Sequence, residues 1–66
     1  MRLDRIKMIS TMARQGMTVQ KLAERAGVSY SSISAVRRGT SVREDTAKKL
    51  AAALGVNLED LKEATS

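Results

Sequence analysis

The sequence has no cysteine, histidine, proline, tryptophan or phenylalanine. Without cysteine and histidine there is no disulfide framework, no thiol chemistry, no zinc site of the usual kind and no histidine-based triad. A single aromatic residue, Tyr30, excludes an aromatic core and a stacking platform for single-stranded nucleic acid. The longest apolar run, Leu50–Leu54, is far short of the roughly 20 residues that cross a bilayer. No signal-peptide pattern precedes the first amphipathic stretch. With 66 residues the chain reads as one domain spanning 1–66, marginally stable and too small for a deep enzyme pocket. The expectation is a soluble cytoplasmic protein with no catalytic residue, no metal, no cofactor, no small-molecule ligand, no ligand-sensing module and no membrane partner.

What is present is positive charge, unevenly spread. The chain carries +5, yet residues 1–43 hold nine basic and two acidic side chains, while residues 44–66 hold three basic and five acidic. Basic charge gathered in one part of a small domain is the footprint of a polyanionic partner. Charge for solubility alone is the alternative reading of +5, and the asymmetry tips the balance modestly towards nucleic acid.

Four glycines punctuate the chain, Gly16, Gly27, Gly39 and Gly55, and each is followed within two residues by an N-cap type: Thr18, Ser29, Ser41 and Asn57. Glycine ends a helix because it enters the left-handed region without a Cβ clash; serine, threonine and asparagine start one by accepting a free backbone N–H. Apolar spacings of three and four between these marks predict five short helices and no strand. The first covers about Leu3–Gln15, with Ile6, Ile9, Met12 and Ala13 on its inner face and Leu3 and Met8 at the margins. Asp4, Lys7, Thr11, Arg14 and Gln15 take its outer face. The second, about Val19–Ala26, buries Leu22, Ala23 and Ala26. The third, about Tyr30–Arg38, buries Ile33 and Val36. The fourth opens on a capping box between Ser41 and Glu44 and continues through Ala47, Leu50, Ala51 and Leu54. The fifth, about Leu58–Glu63, offers Leu58 and Leu61.

The third helix is anomalous. Tyr30-Ser-Ser-Ile-Ser-Ala-Val-Arg-Arg38 has mediocre helix propensity and little to bury. Its polar side carries short hydrogen-bonding serines where a solvated helix usually carries Glu, Lys and Gln. Such a helix suits close approach to another polar surface.

The segment Leu22-Ala-Glu-Arg-Ala-Gly-Val-Ser-Tyr-Ser-Ser-Ile-Ser-Ala-Val-Arg-Arg-Gly39 resembles the helix-turn-helix of the phage Cro and C1 repressor (Xre) family. The likeness extends through Gly16-Met-Thr18 before it and Ala52-Ala-Leu-Gly-Val56 after it, and so covers nearly the whole chain. It implies an all-α, compact five-helix, λ-repressor-like DNA-binding domain, with the helix-turn-helix at about 19–38. Small Ala23, the turn at Gly27, and apolar Val28, Ile33 and Val36 supply a physical basis for that motif.

The resemblance further implies that the third helix enters the major groove of double-stranded DNA. Ser29, Tyr30, Ser31 and Ser34 are then the base-reading positions, with Ala35 a matching site able only to touch a thymine methyl. Tyr30 is either a core plug or a contact residue, and its place beside Ser29 on the polar side favours contact. Phosphate contacts fall on Thr18, Gln20, Arg38, Thr40, Ser41 and Arg43. Arg38 also suits the negative end of a helix dipole. Two departures from the family pattern stand out: Val19 replaces the usual Gln, and Met12 and Arg37 occupy positions where many relatives place an Arg–Glu ion pair.

The function implied is a sequence-specific transcriptional regulator, a repressor acting as a homodimer on a palindromic operator. Val56, Leu58 and Leu61 are the candidate dimer surface, unless they close the monomer's core instead. A protein-interaction module on the same fold, an antitoxin or anti-repressor partner, is the alternative. RNA binding is disfavoured by the lack of stacking rings. Glu44-Asp45 and Glu59-Asp60 read as first-turn charges opposing helix dipoles rather than as acid–base or metal pairs. Met1, Met8, Met12 and Met17 read as core filler.

Overall fold

The computed structural model describes residues 1–63 and forms five helices: α1 (Arg5–Arg14), α2 (Val19–Ala26), α3 (Tyr30–Arg37), α4 (Glu44–Leu54) and α5 (Leu58–Leu61). The first three helix starts carry side-chain cap bonds, whereas Asn57, at the cap position of α5, makes none. Asp4 accepts from the N–H groups of Ile6 and Lys7 at 2.9 and 3.1 Å, Thr18 from Lys21 at 3.1 Å and Ser29 from Ser32 at 3.3 Å. Gly27 ends α2 at φ +69°, a left-handed geometry that costs a Cβ-bearing residue strain, and this turn lets α3 fold back onto α2.

The expected capping box at Ser41 does not form. α4 starts at Glu44, with Arg43 at the cap position and no side-chain cap bond. The reason lies 41 residues away: Val42 donates its N–H to Met1 O and accepts from the Met1 amine, at 2.8 and 2.9 Å. That pairing holds the chain extended ahead of Glu44. Glu44 and Asp45 still occupy the first turn, each 3.4–3.6 Å from a lysine four residues on.

α5 is also shorter than expected. After Leu61 the chain leaves the helix and pairs antiparallel with residue 3; Asp4 donates to Leu61 O at 2.7 Å, and Glu63 to Arg2 O at 3.2 Å. This single bridge is the sole strand-like pairing among the described residues.

One core gathers Leu3, Met8, Met12, Leu22, Ile33, Val36, Ala47, Leu50, Ala51, Leu54 and Leu61. α2 is packed against both α3 and α4, and α1 touches α3 and α5. The expected inner face of α1 is corrected. Ile6 and Ile9 remain 64% and 44% exposed and Ala13 is exposed, whereas Met8, Thr11 and Met12 are buried. Two stripes compete on this helix, and the one adjoining Gln15 wins. Gln15 donates its side-chain amide to Leu54 O at 2.7 Å, closing the end of α4, and this turns Met12 and Met8 inward. Burial of Thr11 is satisfied locally, its hydroxyl donating to Lys7 O at 2.7 Å. Met1 and Met17 are half-buried against the core.

Leu61 is 1% exposed and closes the core from below α1, so it is not available to a second chain; Val56 and Leu58 are half-buried against the same core.

Leu22 is fully buried in α2, the helix that joins α3 to α4. Leu22→Ala should therefore cost about 2–5 kcal/mol. That is most of the stability of so small a domain, and urea unfolding followed by helical circular dichroism reads it. A loss below about 1 kcal/mol would contradict this placement of α2.

Candidate nucleic-acid interface

The helix α3 has two sides of opposite character. Ile33 and Val36 are buried and hold it to the core. At 100° per residue, Ser31, Ser34 and Arg38 fall on the opposite side in one row, with Tyr30 and Ala35 flanking it. Tyr30 is 58% exposed, which rules out the core-plug reading. Ser31 and Arg38 are exposed, while Ser34 and Ala35 are half-buried.

Ser29 is exposed but its hydroxyl is already committed. It caps α3 through Ser32 N–H and lies 3.1 and 3.0 Å from the hydroxyls of Ser31 and Ser32. The first turn of α3 thus carries a connected cluster of three hydroxyls rather than three independent ones. Each can rotate to donate or accept, so the cluster offers a short polar surface with adaptable hydrogen bonding.

The loop after α3 brings a second set of residues alongside. Ser31 and Ala35 share a shallow depression with Ser41 and Arg43. Ser34 shares another with Arg37, Arg38 and Ile9. Thr40 is exposed, and its N–H donates to Ala35 O at 2.8 Å, which wraps the loop against the end of α3. Thr18, at the start of α2, adjoins Arg37 rather than Arg38, with Val19 beside it. Gln20 is exposed on α2 and borders none of these depressions. The proposed site residues thus fall into a group around α3 and its loop and a second group at the start of α2.

Two arginines complete this surface. Arg2 donates from its guanidinium to Gly39 O at 3.1 Å and lies 3.6 Å from the Glu63 carboxylate. It ties the loop after α3 to both ends of the described chain. No local pattern could have revealed a bond spanning 37 residues. Arg37 borders the same depression as Met12, the two positions where relatives place an ion pair. Met12 is buried there and Arg37 is exposed, without an ion pair among the described residues. Burying apolar Met12 without a charged partner leaves no desolvated charge in the core, and buried ion pairs often add little net stability in any case.

The charge of this face follows from the sequence. Residues 18–43 contain five basic side chains and one carboxylate, Glu24. The described residues hold no group of three or more carboxylates placed to bind a metal ion, and no helix is long and apolar enough to cross a membrane. The arrangement is therefore a rigid helix with a short polar outer face, flanked by cations on a loop and on a neighbouring helix start.

Residues 11–61 match the family model described as helix-turn-helix. No curated protein and no solved structure matches the chain significantly. The matched span covers most of the 66 residues and includes α2, the Gly27 turn, α3 and its loop, so the chain belongs to the Cro/C1-type helix-turn-helix family, a DNA-binding and not a catalytic class.

Proposed function

We propose that this domain is a transcriptional repressor that binds double-stranded DNA sequence-specifically as a homodimer on a palindromic operator. The observation that carries the reading is the outer face of α3. Its exposed polar side is held rigidly by Ile33 and Val36 and flanked by Arg38 and Arg43. In this reading α3 lies in the major groove, with Tyr30, Ser31 and Ser34 against base edges and the shared hydroxyl of Ser29 at the entry. Serine and tyrosine cannot make the bidentate bonds that arginine or glutamine make to guanine and adenine. Part of the selectivity then comes from DNA shape and deformability.

Affinity comes mainly from phosphates. Thr18 and Gln20 present the start of α2 to one strand, and Arg38, Thr40, Ser41 and Arg43 reach the other side. Arg2 acts as a positioning residue, holding Gly39 so that the loop meets the backbone in one conformation. The domain measures 28 × 21 × 19 Å, less than the roughly 34 Å between half-sites one helical turn apart. One copy therefore serves one half-site, and a palindrome requires two. Val56 and Leu58 are the contact we assign between copies. Repression follows from steric occlusion of a promoter by the bound pair.

Titration of labelled protein with random and selected duplexes tests the reading as a whole. Amide shifts should concentrate in residues 28–38, and affinity should fall steeply between about 50 and 200 mM salt. Responses confined to another patch, or salt-insensitive binding, would overturn it.

Three substitutions separate the roles. Arg38→Ala should weaken every duplex alike and reduce the salt slope by about 1. Tyr30→Ala should instead reorder preference among sites, and equal losses on all sequences would demote Tyr30 to a backbone contact. Arg2→Ala should shift the amides of Gly39–Arg43 in the free protein. It should also weaken all duplexes about threefold, the scale of one exposed hydrogen bond. Unchanged affinity would remove Arg2 from the interface.

A further inference from the structure

Ile6 and Ile9 stand out among the large apolar side chains because they stay in water, 64% and 44% exposed. They are three residues apart on α1, and exposed Ala13 continues the row one turn on. Their surroundings are cationic. Ile6 lines a depression with Arg5 and Arg38, and Ile9 lines another with Arg37 and Arg38. The carboxylates bordering this face are otherwise engaged or marginal. Asp4 caps α1, Glu63 lies against Arg2, and Asp60 sits at the α5 edge.

We propose that this face of α1 docks an acidic amphipathic helix of a partner protein. The partner's apolar side would rest on Ile6, Ile9 and Ala13, with its carboxylates on Arg5, Arg37 and Arg38. Charge complementarity selects this occupant. A two-fold contact with a second copy would place the same three arginines against their own images, a like-charge arrangement that disfavours self-association. The apolar row is also too small for the roughly 800 Å² per partner that a stable dimer buries. A flat bilayer fits poorly, because membrane binding scales with the apolar area inserted and two isoleucines with one alanine offer little. An apolar row edged by opposite charge is how a groove receives a single amphipathic helix.

The probe is a short synthetic helix with leucines along one face and glutamates on its flanks, labelled for fluorescence anisotropy. It should bind at low salt and shift amides of residues 5–14 and 37–38. The double variant Ile6→Ser/Ile9→Ser should lose about tenfold or more in affinity for this probe, as expected for two lost apolar contacts. Because both residues are exposed and outside the proposed DNA contacts, the helical spectrum and duplex binding should stay unchanged. Arg37→Glu should weaken the acidic probe and strengthen a lysine version. Equal binding of a scrambled glutamate–leucine peptide or of the lysine version to the unmodified protein would overturn the proposal. So would isoleucine-dependent binding to phosphatidylglycerol vesicles, or self-association in sedimentation that the double variant abolishes. Failure of the unmodified protein to bind the probe while it still binds duplex sinks this inference alone, whereas absent duplex binding sinks the repressor reading and leaves this one standing.

Discussion

The inward side of α3 is held by two side chains, Ile33 and Val36, and every functional role assigned to its outward side depends on them. An isolated eight-residue helix is unstable in water, and four serines at or within this one lower its propensity further. Burying each of the two branched residues contributes about 1.5–3 kcal/mol, enough to offset that deficit only because α1 and α2 are already in place. The outer face can then consist of short polar groups, since it need not stabilise the helix. A longer, better helix-forming surface would stand the backbone further from whatever it meets.

The same economy shapes how such a face can recognise DNA. The Ser29 hydroxyl is already spent on the Ser32 N–H and shared with its neighbours, so it is a weaker reader than an uncommitted serine. Tyr30 presents an exposed aromatic ring on the helix, and Ser31 and Ser34 add one rotatable hydroxyl each. Discrimination by these groups is modest, whereas the cations around them act on any phosphate backbone. The balance points to a protein whose affinity is set by its loop and flanks and whose selectivity is set by a few atoms of α3.

Much of this was legible in the sequence because it is local. Thr18, Ser29 and Gly27 act through bonds spanning two to four residues, and the limits of α2 and α3 follow from them. What was not legible depends on distant partners. Ser41 has the right spacing for a capping box with Glu44, but the pairing of Met1 with Val42 keeps the chain extended there. Leu61 looks equally suited to a dimer surface or a core until Asp4 bonds to its carbonyl and draws it under α1. Arg2 shows no sequence signal at all. The family resemblance correctly pointed to the helix-turn-helix, as the match over residues 11–61 and the α2–turn–α3 arrangement show.

The misread face of α1 is the most informative of these differences. Apolar content favours the isoleucines for the core, yet unbranched Met8 and Met12 fill it, since methionine adapts to irregular gaps. Scattered apolar residues on a surface are ordinary and call for no explanation. Two isoleucines and an alanine in helical register, edged by arginines from two helices, are not scattered. Arg38 belongs both to that edge and to the row of α3 proposed to meet DNA, and it shares one depression with Ile9 and Ser34. A guanidinium engaged by a carboxylate has fewer donors for a phosphate. If both proposed ligands use Arg38, occupation of the α1 face and insertion of α3 into the groove become coupled, and the coupling acts equally in both directions.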